Sequence, residues 1–255
     1  MDFKSVYYLV PLKKTESLKN HISHIAISLM ILLLPYSMFG QKEKPMNKSW
    51  YDEKLFHFGF SLGFNTMDFN ITPSQSFLET DSLYPEVTKL NPGINIQIVT
   101  NYHPSKYIDI RFLPGVSFGQ RNVRYYRNQV LYNEQQRLES SFLEFPLLLK
   151  YKGNRLNNVR PYFITGLNYR YDLAGRKEFD EDRPVYIRIK RPDLYYEAGA
   201  GLDFYLMYFK LSVELKMSNG IRNVIVDDKV AGYQQFRDAI EKMRSQIWVI
   251  AFHFE

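Results

Sequence analysis

The segment Leu55–Asn65, LFHFGFSLGFN, alternates between two kinds of residue with a period of two. One set is bulky and apolar and the other is small or polar: Phe56, Phe58, Phe60, Leu62 and Phe64 against His57, Gly59, Ser61, Gly63 and Asn65. Because successive side chains of an extended chain point to opposite faces, this alternation predicts a β-strand. A soluble sandwich turns its apolar face inward, whereas a membrane barrel turns it outward to lipid. The segment alone leaves both architectures open.

The composition of the whole chain favours β structure and excludes several classes of function. The 255 residues include 20 Tyr and 19 Phe but no Cys, and aromatic residues make up 16% of the chain. Aromatic residues favour strands, and the lack of cysteine excludes disulfide scaffolds, zinc–thiolate sites and cysteine nucleophiles. The formal net charge of +6 is too mild and too dispersed to indicate binding to nucleic acid.

The N-terminal 40 residues have the pattern of a cleavable signal peptide. Its parts are a basic region with Lys13, Lys14 and Lys19, the apolar run Ile25–Leu34 and the small residue Gly40. The apolar run falls short of the roughly 20 residues that a membrane helix needs, although an uncleaved anchor or a buried helix is the alternative. No later segment of the sequence is apolar enough to form such a helix. A membrane-embedded mature protein would therefore cross with strands.

After a polar lead-in at residues 41–54, predicted to lie in the periplasm, the alternation of the first segment recurs seven times. The further runs are residues 93–102, 107–119, 141–152, 161–173, 193–206, 209–217 and 245–255. Short connections near residues 103–106, 153–159 and 207 alternate with long ones at residues 70–92, 121–137, 174–192 and 218–244. Outer-membrane barrels have short periplasmic turns, longer outer loops and an even number of strands. Residues 55–255 are therefore predicted to form an all-β, eight-stranded, antiparallel up-and-down transmembrane β-barrel.

The less apolar face of these runs carries both charges and glycines. Glycine inside a strand costs stability, and the solvent-facing side of a sandwich gives no reason for it. A lumen enclosed by eight strands has room for little more than its own side chains, so small residues on one wall leave space for long ones from another. This face is therefore predicted to line the lumen, with a soluble ligand-binding barrel as the alternative. The predicted lumen charge network consists of Arg111, Glu144, Arg170, Glu197, Asp203, Glu214 and Lys216.

Four stretches resemble the PorT family of outer-membrane barrels, which belong to the type IX secretion system. They are FHFGFSLGFNTMDFNI at 56–71, SSFLEFPLLLKYK at 140–152, RPYFITGLNYRYDL at 160–173 and YYEAGAGLDFYLMYFKLSVELKMSNGIRNV at 195–224. The resemblance covers Lys54–Glu255, although other barrels share the fourth-strand pattern. It implies a component or assembly factor of type IX protein secretion, and of gliding motility where that is present, in the outer membrane of a Gram-negative bacterium. It supplies no catalytic residues.

Two sets of residues are candidates for chemistry, and each has a plainer interpretation. His57 and His253 could form a site with Glu144 or Glu197, but hydrogen-bonded lumen residues would give the same pattern. The second set is the acidic cluster Glu178, Asp180, Glu181 and Asp182. These carboxylates could hold a calcium ion, but their spacing matches no known loop, so a solvated hairpin is favoured. No Ser–His–acid set is visible, and we predict no catalysis, cofactor or metal.

The last long connection contains YQQFRDAIEKM, in which apolar residues recur at helical spacing. This stripe, the candidate partner surface, consists of Tyr233, Phe236, Ile240 and Met243. A short amphipathic helix here would cover the barrel mouth or bind a partner. The expected partners are outer-membrane lipid and other type IX secretion components, with neither nucleic acid nor a small-molecule substrate. A stand-alone structural or adhesive barrel is the alternative function.

Overall fold

A computed structural model describes residues 46–74, 83–87, 91–127, 130–131, 136–174, 189–226 and 238–255. The predicted signal peptide, at residues 1–40, lies outside this range. A 3-10 helix, Ser49–Glu53, precedes eleven strands. The strands are β1 Phe56–Pro73, β2 Leu83–Val87, β3 Pro92–Ser105, β4 Ile108–Phe112, β5 Gly115–Arg127, β6 Val130–Leu131, β7 Gln136–Lys152, β8 Val159–Asp172, β9 Pro192–Tyr205, β10 Lys210–Gly220 and β11 Ile240–Phe254. Across the described residues, no helix has the length and apolarity needed to cross a membrane.

Eight strands close the sheet into a barrel. Each is antiparallel to its neighbours, and β1 pairs on one side with β3 and on the other with β11, where Ser61 lies opposite His253. β4 and β5 act as one strand interrupted at Leu113 and Pro114, because both pair with β3 on one side and β7 on the other. β2 and β6 are short strands that pair with the far end of β5. The wall therefore consists of β1, β3, β4/β5, β7, β8, β9, β10 and β11, which confirms the predicted eight-stranded antiparallel barrel.

The two ends of the barrel differ in their connections, as predicted. Residues 106–107, 153–158 and 206–209 make the short turns at one end, here called the short-turn end. At the opposite, long-loop end, the strands continue further than the sequence pattern indicated. β1 reaches Pro73 and β11 already begins at Ile240, whereas the predicted long connections began at residue 70 and ended at residue 244. The continuations were missed because their outward residues, such as Asn70 and Lys242, are polar and exposed.

The apolar face of the wall points outward, as the lipid-facing interpretation predicted. Phe58 and Phe163 are each 68% exposed, whereas Ser61 and Asn101, which point inward, are 1% exposed. Such a surface is stable in a bilayer and unfavourable in water. Aromatic side chains border the apolar band at both ends, as in the interfacial girdles of membrane barrels. They are Tyr102, Tyr107, Tyr151 and Tyr208 near the short turns and Tyr169, Tyr196 and Trp248 towards the long loops.

Glycines of the inner face make room for large side chains from neighbouring strands. A Cβ atom at Gly201 would lie 2.5 Å from the hydroxyl of Tyr162, which stands opposite it on β8. Because Gly201 has no side chain, the Tyr162 ring turns into the lumen, and its hydroxyl donates a hydrogen bond to Glu214 at 2.9 Å. The glycine at this position therefore serves lumen packing, which is the reason that the sequence suggested for a glycine-rich inner wall.

Candidate functional site

The seven charged residues of the predicted lumen network all lie inside the barrel, each no more than 2% exposed. Buried charges are tolerated only when they are paired and hydrogen-bonded, because their desolvation is costly. Six of the seven fall into two clusters at different heights, named after Arg170 and Arg111. The seventh, Asp203, pairs with Lys150, whose ammonium lies 2.7 Å from a carboxylate oxygen. Ser212 donates a further hydrogen bond to Asp203 at 2.5 Å.

The Arg170 cluster comprises Arg170, Glu144, Glu197 and Lys216. The guanidinium of Arg170 lies 2.8 Å from Glu144 and 3.0 Å from Glu197. Lys216 lies 2.8 Å from the other oxygen of Glu197. Two cations therefore balance two carboxylates, and Asn168 and Ser218 donate further hydrogen bonds to Glu197 at 2.8 and 2.9 Å. The cluster joins β7, β8, β9 and β10 from the inside.

The Arg111 cluster lies nearer the short turns and spans the lumen. Arg111 on β4 lies 3.3 Å from Glu214 on β10, a strand of the opposite wall, and 3.0 Å from Glu255. Lys210 lies 3.0 Å from Glu255 as well. Because Arg111 and Glu214 stand on opposite walls, their ion pair acts as a cross-brace. Together with the Tyr162 ring, they fill the middle of the barrel.

A third group of charges occupies the end of the lumen next to the short turns. Asp109 lies 2.6 Å from both Lys152 and His103, and Asn101 donates a hydrogen bond to it at 3.0 Å. His103 was expected in the short turn at residues 103–106 and proves to be a buried residue of β3. A residue at a strand end carries the same alternation as the strand, and that signal could have placed it.

The candidate histidine site is not assembled. His57 stacks on the ring of Tyr51 with centroids 3.9 Å apart, whereas His253 lies 3.4 Å from Glu214. Glu144 and Glu197 belong to the Arg170 cluster instead. Within the described residues, no group of three or more His, Asp or Glu side chains is arranged to hold a metal ion. The acidic cluster Glu178, Asp180, Glu181 and Asp182 lies outside those residues.

A segment before the first strand closes the short-turn end, and we call residues 47–53 the short-turn plug. Tyr51 inserts its ring into the barrel and donates a hydrogen bond from its hydroxyl to Glu255 at 2.9 Å. Asp52 lies 3.0 Å from Arg160, and the side chain of Asn47 donates to the carbonyl of Tyr205 at 3.0 Å. Burial and the nearby Glu255 carboxylate raise the pKa of Tyr51, so the hydroxyl stays protonated as a donor. The sequence predicted only a polar lead-in for these residues.

The plug is also tied to the turn between β7 and β8. Asn158 in this turn accepts a hydrogen bond from the backbone N–H of Asn47 at 2.9 Å, and Arg155 donates to the Asn47 carbonyl. The guanidinium of Arg155 stacks on the ring of Tyr205, 3.7 Å from its centroid. Tyr51, Asn47 and Arg155 were all missed at the sequence level, because none of them lies in an alternating run.

An apolar cluster closes the interior at the long-loop end, and we call it the mouth cluster. It consists of Phe69, Val123, Tyr125, Val224, Ile225, Ala239, Ile240 and Met243. Ile240 and Met243 were predicted to lie on a short amphipathic helix that covers the barrel mouth or binds a partner, and the helix is wrong for both. They belong to β11 and are 0% exposed. Their apolar side chains pack inside the barrel mouth, so they offer no surface to a partner. Tyr233 and Phe236 lie outside the described residues.

The geometry of a closed, lipid-facing barrel agrees with a comparison by sequence. Residues 39–226 match the family described as "Outer membrane protein beta-barrel domain". The chain belongs to this family. As an outer-membrane β-barrel, it resides in the outer membrane of a Gram-negative bacterium, as the sequence predicted. A search of curated proteins finds no match to the chain.

Solved outer-membrane barrels are similar to this one at low identity. OprG of Pseudomonas aeruginosa is 13% identical with a TM-score of 0.44, and the match covers 78% of this chain and 93% of OprG. Ail, the attachment invasion locus protein of Yersinia pestis, is 12% identical with a TM-score of 0.35 over 77% of this chain and 96% of Ail. The N-terminal barrel domain of Pseudomonas aeruginosa OprF is 12% identical with a TM-score of 0.31, covering 76% and 97%.

Proposed function

We propose that this barrel is a non-enzymatic component or assembly factor of type IX protein secretion, of the PorT type. The observation that supports a role other than transport is the filled interior. The Arg170 cluster, the Arg111 cluster and the short-turn plug occupy the lumen in succession, and the mouth cluster follows at the far end. A protein built in this way acts through its two rims and its lipid-facing wall. The assignment to type IX secretion rests on the resemblance of residues 56–71, 140–152, 160–173 and 195–224.

Loss of the gene tests this proposal directly. Deletion should abolish the appearance of type IX cargo in the culture fluid, with the cargo retained inside the cell, and should stop gliding in a species that glides. A plasmid copy of the wild-type gene should restore export. Normal export in the deletion strain would refute the secretion role and leave a stand-alone structural or adhesive barrel.

A complementation series separates a secretion role from mere presence of the barrel. A variant with an exposed side chain of a short turn replaced, Leu156→Ala for instance, should insert into the outer membrane as the wild type does. The level of barrel in the outer membrane is measured by its shifted migration on gels without boiling. If no substitution at either rim changes export while the level of barrel in the membrane stays constant, the hypothesis that the rims contact a partner is wrong.

A further inference from the structure

A cleft opens at the long-loop end, where β8, β9 and β10 approach the rim. Its volume is about 820 Å³, and it is lined by Tyr171, Lys190, Arg191, Pro192, Arg222, Asn223 and Val224. Three of these seven residues are cations and none is a carboxylate. Lys190 and Arg222 are exposed, and Arg191 is half-buried. The cleft therefore presents positive charge to the outside of the barrel, in contrast to the balanced charges of the lumen.

The two segments that carry these cations are held in place by the backbone. The N–H of Lys190 donates to the carbonyl of Val224 at 2.8 Å, and the N–H of Asp172 donates to the carbonyl of Arg191 at 2.9 Å. Val224 is in turn bonded to Met243 of β11 at 3.0 Å. The side chain of Asn223 accepts a further hydrogen bond from the N–H of Met243 at 3.1 Å. Both segments are therefore joined to each other and to the wall, and the ammonium of Lys190 lies 3.4 Å from the carbonyl of Asn223 in the other segment.

The cleft lies at the level where lipid headgroups meet the protein. Tyr171 stands opposite Pro192 on the wall, two residues beyond the outward-facing Tyr169. Tyr169 and Tyr196 belong to the aromatic girdle, and Leu173 and Ile221 beside the cleft are exposed. Girdle aromatics sit at headgroup depth, and the long loops of an outer-membrane barrel face outward from the cell. The cations therefore point to the headgroups of the outer leaflet.

We propose that this cleft binds the phosphate groups of a phosphorylated glycolipid of the outer leaflet. Guanidinium groups bind phosphate oxygens through paired N–H donors, and an ammonium adds a point charge. Tyr171 and Pro192 supply an apolar wall against which the sugar and the upper part of the acyl chains pack. The lipid surface itself, and not a soluble anion, delivers the ligand, because the cleft borders the lipid-facing band.

A titration of the purified full-length barrel in detergent tests this site, with bisphosphorylated lipid A as the probe and native mass spectrometry as the readout. The double variant Lys190→Gln/Arg222→Gln should bind the probe about 25-fold more weakly, at roughly fivefold for each cation near an anionic lipid surface. The matched control Lys242→Gln/Arg244→Gln removes two exposed charges of β11 at the same end, and it should keep the wild-type affinity. Equal affinities for the wild type and both variants would overturn the proposal. An acidic protein partner would then be the alternative ligand for these cations.

The wild-type protein alone provides a second measurement, which decides the question even if the double variant does not fold. Lipid A from which both phosphates have been removed should bind much more weakly than the phosphorylated form. Inorganic phosphate at the same concentration should not displace the phosphorylated lipid. Equal binding of the phosphate-free lipid would overturn phosphate recognition, and full displacement by inorganic phosphate would show a site for soluble anions instead of lipid.

Discussion

The charged lumen and the mouth cluster are parts of one barrel interior, yet they have opposite chemistry. Along β1, Ser61 and Asn65 point inward within the lipid-facing section, whereas Met67 and Phe69 point inward beyond it. The outward residues change in the opposite sense, from Phe64 to the exposed Asn70. The change occurs where Thr66 lies opposite the girdle residue Trp248.

The medium outside the wall explains this inversion. In the lipid-facing section the outward residues must be apolar, so alternation leaves polar residues for the interior. Beyond the girdle the wall is surrounded by water, and the ordinary rule of a soluble barrel applies, with apolar residues inside. Arg121 marks the boundary, because its guanidinium lies 4.3 Å from the ring centroid of Phe69 in the mouth cluster. It also donates hydrogen bonds to Ser140 and Ser245, at 2.6 and 2.9 Å, below that cluster.

The two regions are also stabilised differently. The mouth cluster gains free energy from burial of apolar area away from water. The lumen clusters gain little free energy from burial, because desolvation of the charges offsets most of their attraction. A charge that loses its partner there is strongly destabilising, since it stays buried and unpaired. Substitutions in the two regions should therefore destabilise the barrel for different physical reasons.

The largest effect is expected for Arg170→Ala in the lumen. It would leave Glu144 and Glu197 with only Lys216 as a cation in their cluster, and removal of one partner of a buried ion pair costs roughly 3–5 kcal/mol. Urea unfolding in lipid vesicles, followed by migration on gels without boiling, measures the free energy of unfolding. Lys242→Ala, which removes an exposed lysine that pairs with the exposed Glu241, is the control. A loss no larger than that of the control would contradict the ion-pair account.

The mouth cluster should respond to Ile240→Ala with a loss of about 2–5 kcal/mol, the usual range for a large-to-small change in a core. The physical cause is a cavity, so Ile240→Val should cost far less. The neighbouring exposed residue Glu241 provides the control, as Glu241→Ala removes no packing. If Ile240→Ala had no effect on the same urea transition, the mouth cluster would not be part of the stable fold.

Arginine substitution on the outer surface tests the position of the boundary. Phe60→Arg places a charge in the apolar band, which costs about 2–4 kcal/mol near the middle of a bilayer. Asn70→Arg lies on the same strand beyond the girdle and faces water, so it should leave the free energy of unfolding unchanged. Equal losses at the two positions would show that the lipid boundary does not lie between them.

The short-turn plug should give a smaller effect. Tyr51→Phe removes the hydrogen bond to Glu255 but keeps the ring stacked on His57, and a hydrogen bond to a charged group contributes roughly 1.5–3 kcal/mol. Glu255 retains Arg111 and Lys210, so the loss should fall at the lower end of that range. A loss as large as that of Arg170→Ala would mean that the plug, rather than the ion pairs, holds the lower lumen together.

The smallest change is expected in ion conduction, which should be absent from both the wild type and the variant Tyr51→Ala. The wild-type barrel in planar bilayers should show no stable single-channel currents, because Arg111, Arg170 and Tyr162 cross the lumen and are buried. Tyr51→Ala should also remain closed, since the charge clusters lie above the plug. Steady currents from the wild type would contradict a filled lumen, and currents from the variant alone would assign the seal to the plug.

The sequence by itself determined the number of strands, their outward face and the content of the lumen. A period of two assigns each side chain to one of two faces, and the glycines mark the crowded one. This is why Arg111, Glu144 and Glu214 could be placed in the lumen from their positions alone. That Glu144 stands opposite Arg170 is set by the register of β7 against β8 and was not part of the prediction.

Only the tertiary structure decided which distant residues meet. Arg111 reaches Glu214 on the opposite wall because the strands close at one particular register, and Tyr51 enters the lumen because the lead-in folds beneath the short turns. Ile240 and Met243 fit a helical stripe in the sequence, and both are buried in β11 because the register shifts beside them, between Thr72 and Pro73 of β1. They became strand residues because pairing of β11 with β1 continues beyond the lipid. A local pattern records the face of a side chain, whereas its partners depend on how the whole sheet closes.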